Sequence, residues 1–167
     1  MPSRILYDKR NLAILRCQAK PYGSAPLPDF ENLCMSARVP LDQKEFLDSV
    51  VYYDELITID AQEKLRIVKI DGFTEVKEKP VIEIESSMDE LDLSLNNNLT
   101  ISVTIKNTLE AVDNFEKIEL KVNDIPFPVN VSNNYGEKSI EINEAGSYVF
   151  GVVDDRFSDN EITINAY

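Results

Sequence analysis

Histidine and tryptophan are missing from this chain altogether, and only five glycines and two cysteines occur among its 167 residues. Without histidine the usual base of a nucleophilic triad is gone, leaving only Ser–Lys or Cys–Asp variants that demand special surroundings. Five glycines leave little room for a phosphate-cradling loop, and neither a P-loop nor a dinucleotide fingerprint is present. The lack of tryptophan also counts against the aromatic-rich cleft of a glycosidase. Carboxylates are plentiful, but they alternate with apolar residues at outward positions, where solvation accounts for them. No set of acid, base and nucleophile emerges, so the chain is expected to be non-enzymatic and to need no cofactor.

Two cysteines, Cys17 and Cys34, are too few for a disulfide framework. With no histidine to complete a ligand set, they read as reduced, partly buried thiols. Long apolar runs are absent too. None approaches the ~18 residues a bilayer-spanning helix needs, so membrane insertion is not expected. The opening MPSRILYDKR has no apolar core of a secretory signal, which predicts synthesis in a cytoplasm.

What is present is hydrophobic content of 43%, enough for a packed core, and a strongly uneven net charge of −13. Residues 1–79 hold 12 Lys and Arg against 13 Asp and Glu, whereas residues 80–167 hold 5 against 17. The shift near Pro80 predicts two domains, 1–79 and 80–167. An acidic second half repels phosphate backbones, which argues against nucleic acid. Solubility is the plain role of that charge, and a cation or a basic partner is the sharper one.

Along the first half, residues 4–7 and 12–18 are apolar-rich runs around the charged Asp8-Lys9-Arg10-Asn11, a hairpin signal. Pro21, Tyr22, Pro26 and Pro28 lie in a stretch with too many prolines for regular structure, and an extended loop is expected. Phe46, Leu47 and Val50 predict a helix within residues 41–53, beginning near Asp42. Strands are expected at 56–59 and 65–70, with Asp71-Gly72 as a closing turn. Beyond Pro80 the pattern becomes strict alternation. Inward sets are Ile82 and Ile84, then Leu91, Leu93 and Leu95, then Leu99, Ile101, Val103 and Ile105. Ile118, Leu120 and Val122 follow, then 129–131, Ile140 and Ile142, then Tyr148, Phe150 and Val152, and last Ile162 and Ile164. Seven or eight short alternating strands predict two packed sheets. The expected class is therefore mainly β: a small N-terminal α+β or β module followed by a sandwich.

The stretch Asn143-Glu144-Ala145-Gly146-Ser147-Tyr148-Val149-Phe150 resembles the tyrosine corner of immunoglobulin-like domains. That resemblance covers residues 80–167. It implies that Gly146 turns the chain, that the Tyr148 hydroxyl bonds back to the backbone, and that Phe150 stands where antibody domains carry a cysteine. The opening Ile5-Leu6-Tyr7-Asp8-Lys9 through Ile14-Leu15-Arg16 resembles the starts of small tail-associated proteins of phages. It implies a virion component, oligomeric within its assembly and made in the host cytoplasm, that docks on other particle proteins through residues 1–79. Candidate docking residues are then Arg4, Lys9, Arg10, Arg16, Pro21, Tyr22, Pro26 and Pro28. Two alternatives stand beside it. One is an adhesion or carbohydrate-binding module, holding a host surface glycan through 80–167 with Tyr135 and Phe157 as aromatic contacts. The other is an acidic inhibitor or assembly chaperone. The one carboxylate-dense loop offers Asp154, Asp155, Asp159 and Glu161 as oxygen ligands for Ca²⁺. Its spacing is not that of an EF-hand, Arg156 intrudes, and a solvated loop is the plainer expectation.

Overall fold

A computed structural model describes residues 2–19, 26–53, 63–158 and 160–167. The protein is mainly β, with several antiparallel sheets. Its contacts divide it into two compact units, Met1–Glu78 and Lys79–Tyr167.

In the first unit β1 (Pro2–Asp8) lies between β2 (Ile14–Ala19) and β3 (Leu47–Tyr53), antiparallel to both. The contiguous Ile5, Leu6 and Tyr7 are all buried, because each face of the sheet is covered. Ile5 and Tyr7 pack with Leu65 and Ile67 of β4 (Leu65–Ile70), which forms a hairpin with β5 (Phe73–Glu78). Leu6 packs on the other face with Leu47 and with Leu33 and Cys34 of α1 (Phe30–Ser36). Asp29 caps α1 by accepting a bond from the Asn32 amide at 2.8 Å. A 3-10 helix, Leu41–Phe46, leads from there into β3.

The second unit is built from two sheets that share one core. Three strands, β6 (Val81–Ser86), β8 (Asn98–Lys106) and β11 (Tyr135–Glu141), form one sheet in the order β11-β8-β6. The other runs β10-β9-β12-β13-β7, from β10 (Ile125–Asn130), β9 (Lys117–Val122), β12 (Gly146–Val152), β13 (Glu161–Ala166) and the short parallel β7 (Glu90–Leu91). Leu99, Ile101, Val103 and Ile105 of β8 face Ile118, Leu120 and Phe150 in one buried cluster. Hairpin turns follow the local chemistry. Asp71-Gly72, Asn123-Asp124 and Asn133-Asn134 all have both residues at positive φ, the two-residue turn that Asn, Asp and Gly tolerate best. Gly136 has a steric reason of its own, since a Cβ there would meet the Asn130 carbonyl oxygen at 2.2 Å. That contact brings β10 of one sheet against β11 of the other.

Several expectations are corrected. Residues 41–53 are not one helix: the 3-10 turn stops at Phe46, and Leu47–Tyr53 is a strand. The run Val50-Val51-Tyr52-Tyr53 is β-branched and aromatic, and pairing with β1 overrides the helical spacing of Phe46, Leu47 and Val50. α1 and β5 were not anticipated at all. Leu91, Leu93 and Leu95 do not form one strand, for β7 stops at Leu91 and Leu95 is 83% exposed. β10 runs through Pro126 and Pro128, which an edge strand permits. Val122, Ile140 and Tyr148 are only partly buried, whereas Leu99, Ile101, Val103, Ile118, Leu120 and Phe150 are in the core. The strand expected at 56–59 lies outside the described residues.

Candidate functional site

The basic group of the first unit comes from one hairpin. Arg4 sits in β1, Lys9 and Arg10 in the turn, and Arg16 in β2. Arg10 is not a free docking cation. Its Nη2 and Nε donate to both carboxylate oxygens of Asp8, at 2.6 and 3.0 Å, while its backbone amide donates to the same side chain at 2.8 Å. The guanidinium also lies 4.4 Å from the Phe46 ring centroid. Those bonds from Arg10, side chain first and backbone second, hold the Asp8 carboxyl at about 2. The pair pins the β1–β2 turn to the end of the 3-10 helix, where the Lys9 amide also donates to the Phe46 carbonyl at 2.8 Å. Lys9 and Arg16 are exposed, and Arg4 is half-buried with its Nε unpartnered. Pro26 is exposed and Pro28 half-buried, both in irregular backbone. Pro21 and Tyr22 lie outside the described residues.

The carboxylate-dense loop repeats the same device. Arg156 donates to both oxygens of Asp154, at 2.9 Å from Nε and 2.7 Å from Nη2, and to the Lys117 carbonyl at 3.0 Å. Its guanidinium lies 5.4 Å from the ring centroids of Phe115 and of Phe157. Burial pushes the Asp154 carboxyl up, but the bonds from Arg156 outweigh it and the net shift is downward. Asp154 thus already holds a cation supplied by the chain. Asp155 is exposed, Glu161 stands exposed on β13, and Asp159 lies outside the described residues. No three metal-ligating side chains come together among the described residues. Both motifs read Asp-x-Arg with an aromatic under the guanidinium, a spacing visible in the sequence but read there as a docking cation in one case and a ligand loop in the other.

Phe157 is 2% exposed, packed 4.7 Å from Phe115, and offers no ring face to a sugar. Tyr135 is 46% exposed at the start of β11, and its hydroxyl donates to the Glu137 carboxylate. The Tyr148 hydroxyl donates to the Glu144 carbonyl four residues upstream, at 2.8 Å. Phe150, two residues on, is fully buried and meets Phe127 edge-on at 6.3 Å. Gly146 opens β12. Cys17 and Cys34 belong to clusters on opposite faces of the β2-β1-β3 sheet, and burial raises both thiols. An intramolecular disulfide would have to pass through that sheet.

No protein-family model matches this chain, and no curated protein is similar to it.

Proposed function

We propose that the chain is a non-enzymatic structural or binding protein of a phage or phage-derived particle, displaying an immunoglobulin-like sandwich on a smaller docking module. The observation that carries the sandwich part is the Tyr148–Glu144 bond beside a buried Phe150, set in a unit whose two sheets share one core. It is the local geometry that a tyrosine corner requires. The virion part is supported by the resemblance of the opening hairpin, which does form between β1 and β2. With Arg10 committed to Asp8, docking falls to Lys9, Arg16 and Arg4 and to the proline-rich segment. An acidic second half disfavours contact between its own copies, which suits a module that projects from a surface.

The test is particle composition. Particles purified from a host carrying the gene should contain the chain by mass spectrometry, and immunogold against residues 80–167 should label their exterior. A chain found only in the soluble fraction, with clean particles, would end this proposal.

A further inference from the structure

The two sheets of the second unit each end in an edge strand, β10 and β11, and those edges differ in what they offer. Across the two-residue turn, Ile125 pairs with Val122, so the odd-numbered residues of β10 bond to β9 and the even-numbered ones turn their backbone groups outward. The Val131 amide donating to Glu116 keeps that parity. Two of the three outward positions are then Pro126 and Pro128, which have no amide hydrogen. Edge β10 is blunted.

On β11 the parity is set by Ile105, whose amide donates to the Asn134 carbonyl, and by Ile142, whose amide donates to Asn97. The even-numbered residues bond to β8. Glu137, Ser139 and Glu141 therefore aim amide and carbonyl away from the sheet, and all three side chains are exposed. The two carboxylates accept from neutral donors, which orient them and leave their charge in place: the Tyr135 hydroxyl donates to Glu137 and the Asn97 side-chain amide to Glu141. Lys138 stands on the core-facing side of the same strand, opposite buried Ile101, yet remains exposed. Ile140 beside it is only partly covered.

We infer that β11 is a docking edge that takes an extended segment of a basic partner protein as an added antiparallel strand. A second copy of the chain is disfavoured in the two-fold register centred on Ser139, which puts Glu137 opposite Glu141 of the other copy, like charges face to face. The same register writes the partner's pattern. Lys or Arg falls opposite Glu141 and again, four residues later, opposite Glu137. Between them come an apolar residue over Ile140, a free position, and an acid against Lys138. Backbone bonds supply affinity and these alternate side chains supply selection.

The full chain should be titrated with the peptide Thr-Lys-Val-Thr-Glu-Lys-Thr and with a charge-reversed control, Thr-Glu-Val-Thr-Lys-Glu-Thr, while backbone amide shifts and exchange are followed. In the free chain the amides of Glu137, Ser139 and Glu141 should exchange fast and those of Lys138 and Ile140 slowly. The first peptide should protect the fast three; the control should not. Ser139→Pro removes one outward amide and no ladder bond, so it should keep the fold and weaken binding about tenfold, the worth of about one hydrogen bond. Should Ser139→Pro fail to fold, Glu137→Gln with Glu141→Gln serves instead, expected to weaken binding and flatten its salt dependence. No protection at millimolar peptide, equal protection by the control, or slow exchange at all three outward amides of the free chain would overturn the assignment.

Discussion

Among the described residues of 79–167, seventeen buried side chains drawn from both sheets and the segments joining their strands form one cluster, whereas among those of 1–78 two groups of four lie on opposite faces of a single small sheet. The larger cluster is redundant, since many strands of both sheets contribute to it. The smaller arrangement hangs on β1, whose Ile5 and Tyr7 serve one group and Leu6 the other. One unit is a shared core; the other is a strand wrapped from both sides. With fewer side chains in its buried clusters among the described residues, the first unit is expected to have less stability to lose.

The sharpest way to break this contrast is to hollow out each core in turn. Phe150→Ala removes a fully buried ring in contact with Phe127 and should cost about 3–5 kcal/mol. Leu6→Ala should cost about 2–5 kcal/mol, but from a smaller total. Hydrogen exchange by mass spectrometry separates the two. Leu6→Ala should strip protection from β1, β2 and β3 and leave β8 and β9 protected, while Phe150→Ala should leave a folded but weakened second unit. Loss of protection in β8 and β9 on Leu6→Ala would mean that the units do not stand on separate cores.

Next in size is Gly136→Ala, a test of how the second unit closes. A methyl at that position collides with the Asn130 carbonyl, a backbone atom, so β10 or β11 must shift. An overpacking cost of about 1–3 kcal/mol is expected in a chemical melt. Gly72→Ala makes the contrast within the first unit. Nothing lies near its Cβ, and the cost there comes from a φ of +82° alone. Smaller again is Tyr148→Phe, which deletes the hydroxyl bonded to Glu144 and should cost about 1 kcal/mol. A variant as stable as the parent would show that the Tyr148–Glu144 bond contributes nothing to stability.

The contrast also explains what the sequence could and could not reveal. Strands of the second unit have one buried and one wet face, so β8 alternates through Leu99, Ile101, Val103 and Ile105 without a break and its register is legible. β1 is buried on both faces, and Ile5-Leu6-Tyr7 carries no alternation to read. α1 has only seven residues, yet Asp29 as cap with Phe30, Leu33, Cys34 and Ala37 at helical spacing was a usable signal. β3 was misread because Phe46, Leu47 and Val50 fit a helix by spacing alone, while the need of β1 for a second neighbour is invisible locally. The charge shift near Pro80 falls beside the break between Glu78 and Lys79. At the candidate sites, charge was legible and pairing was not. Arg10 and Asp154 look available in a sequence, and each is satisfied by a residue two positions away.

The smallest expected effect sets the two Asp-x-Arg clamps against each other through pH. Asp8 is held at about 2 in the folded chain, against 3.8 for a free carboxyl. A lowered folded pKa binds fewer protons than the unfolded chain does. Its stabilising contribution is therefore complete above 3.8 and is lost as pH falls from there toward about 2. Asp154 is shifted in the same direction, so its contribution also disappears on acidification. Arg10→Gln should release Asp8 and flatten the acid limb of exchange protection in β1 and β2, leaving β12 and β13 unchanged. Arg156→Gln should do the reverse. Each variant should be less stable than the parent at neutral pH and should approach it as pH falls below the ordinary carboxylate range, because protonation progressively removes the same interaction from the parent. A parent and Arg10→Gln variant that lose protection in parallel on acidification would show that the Asp8 carboxylate gains nothing from its arginine.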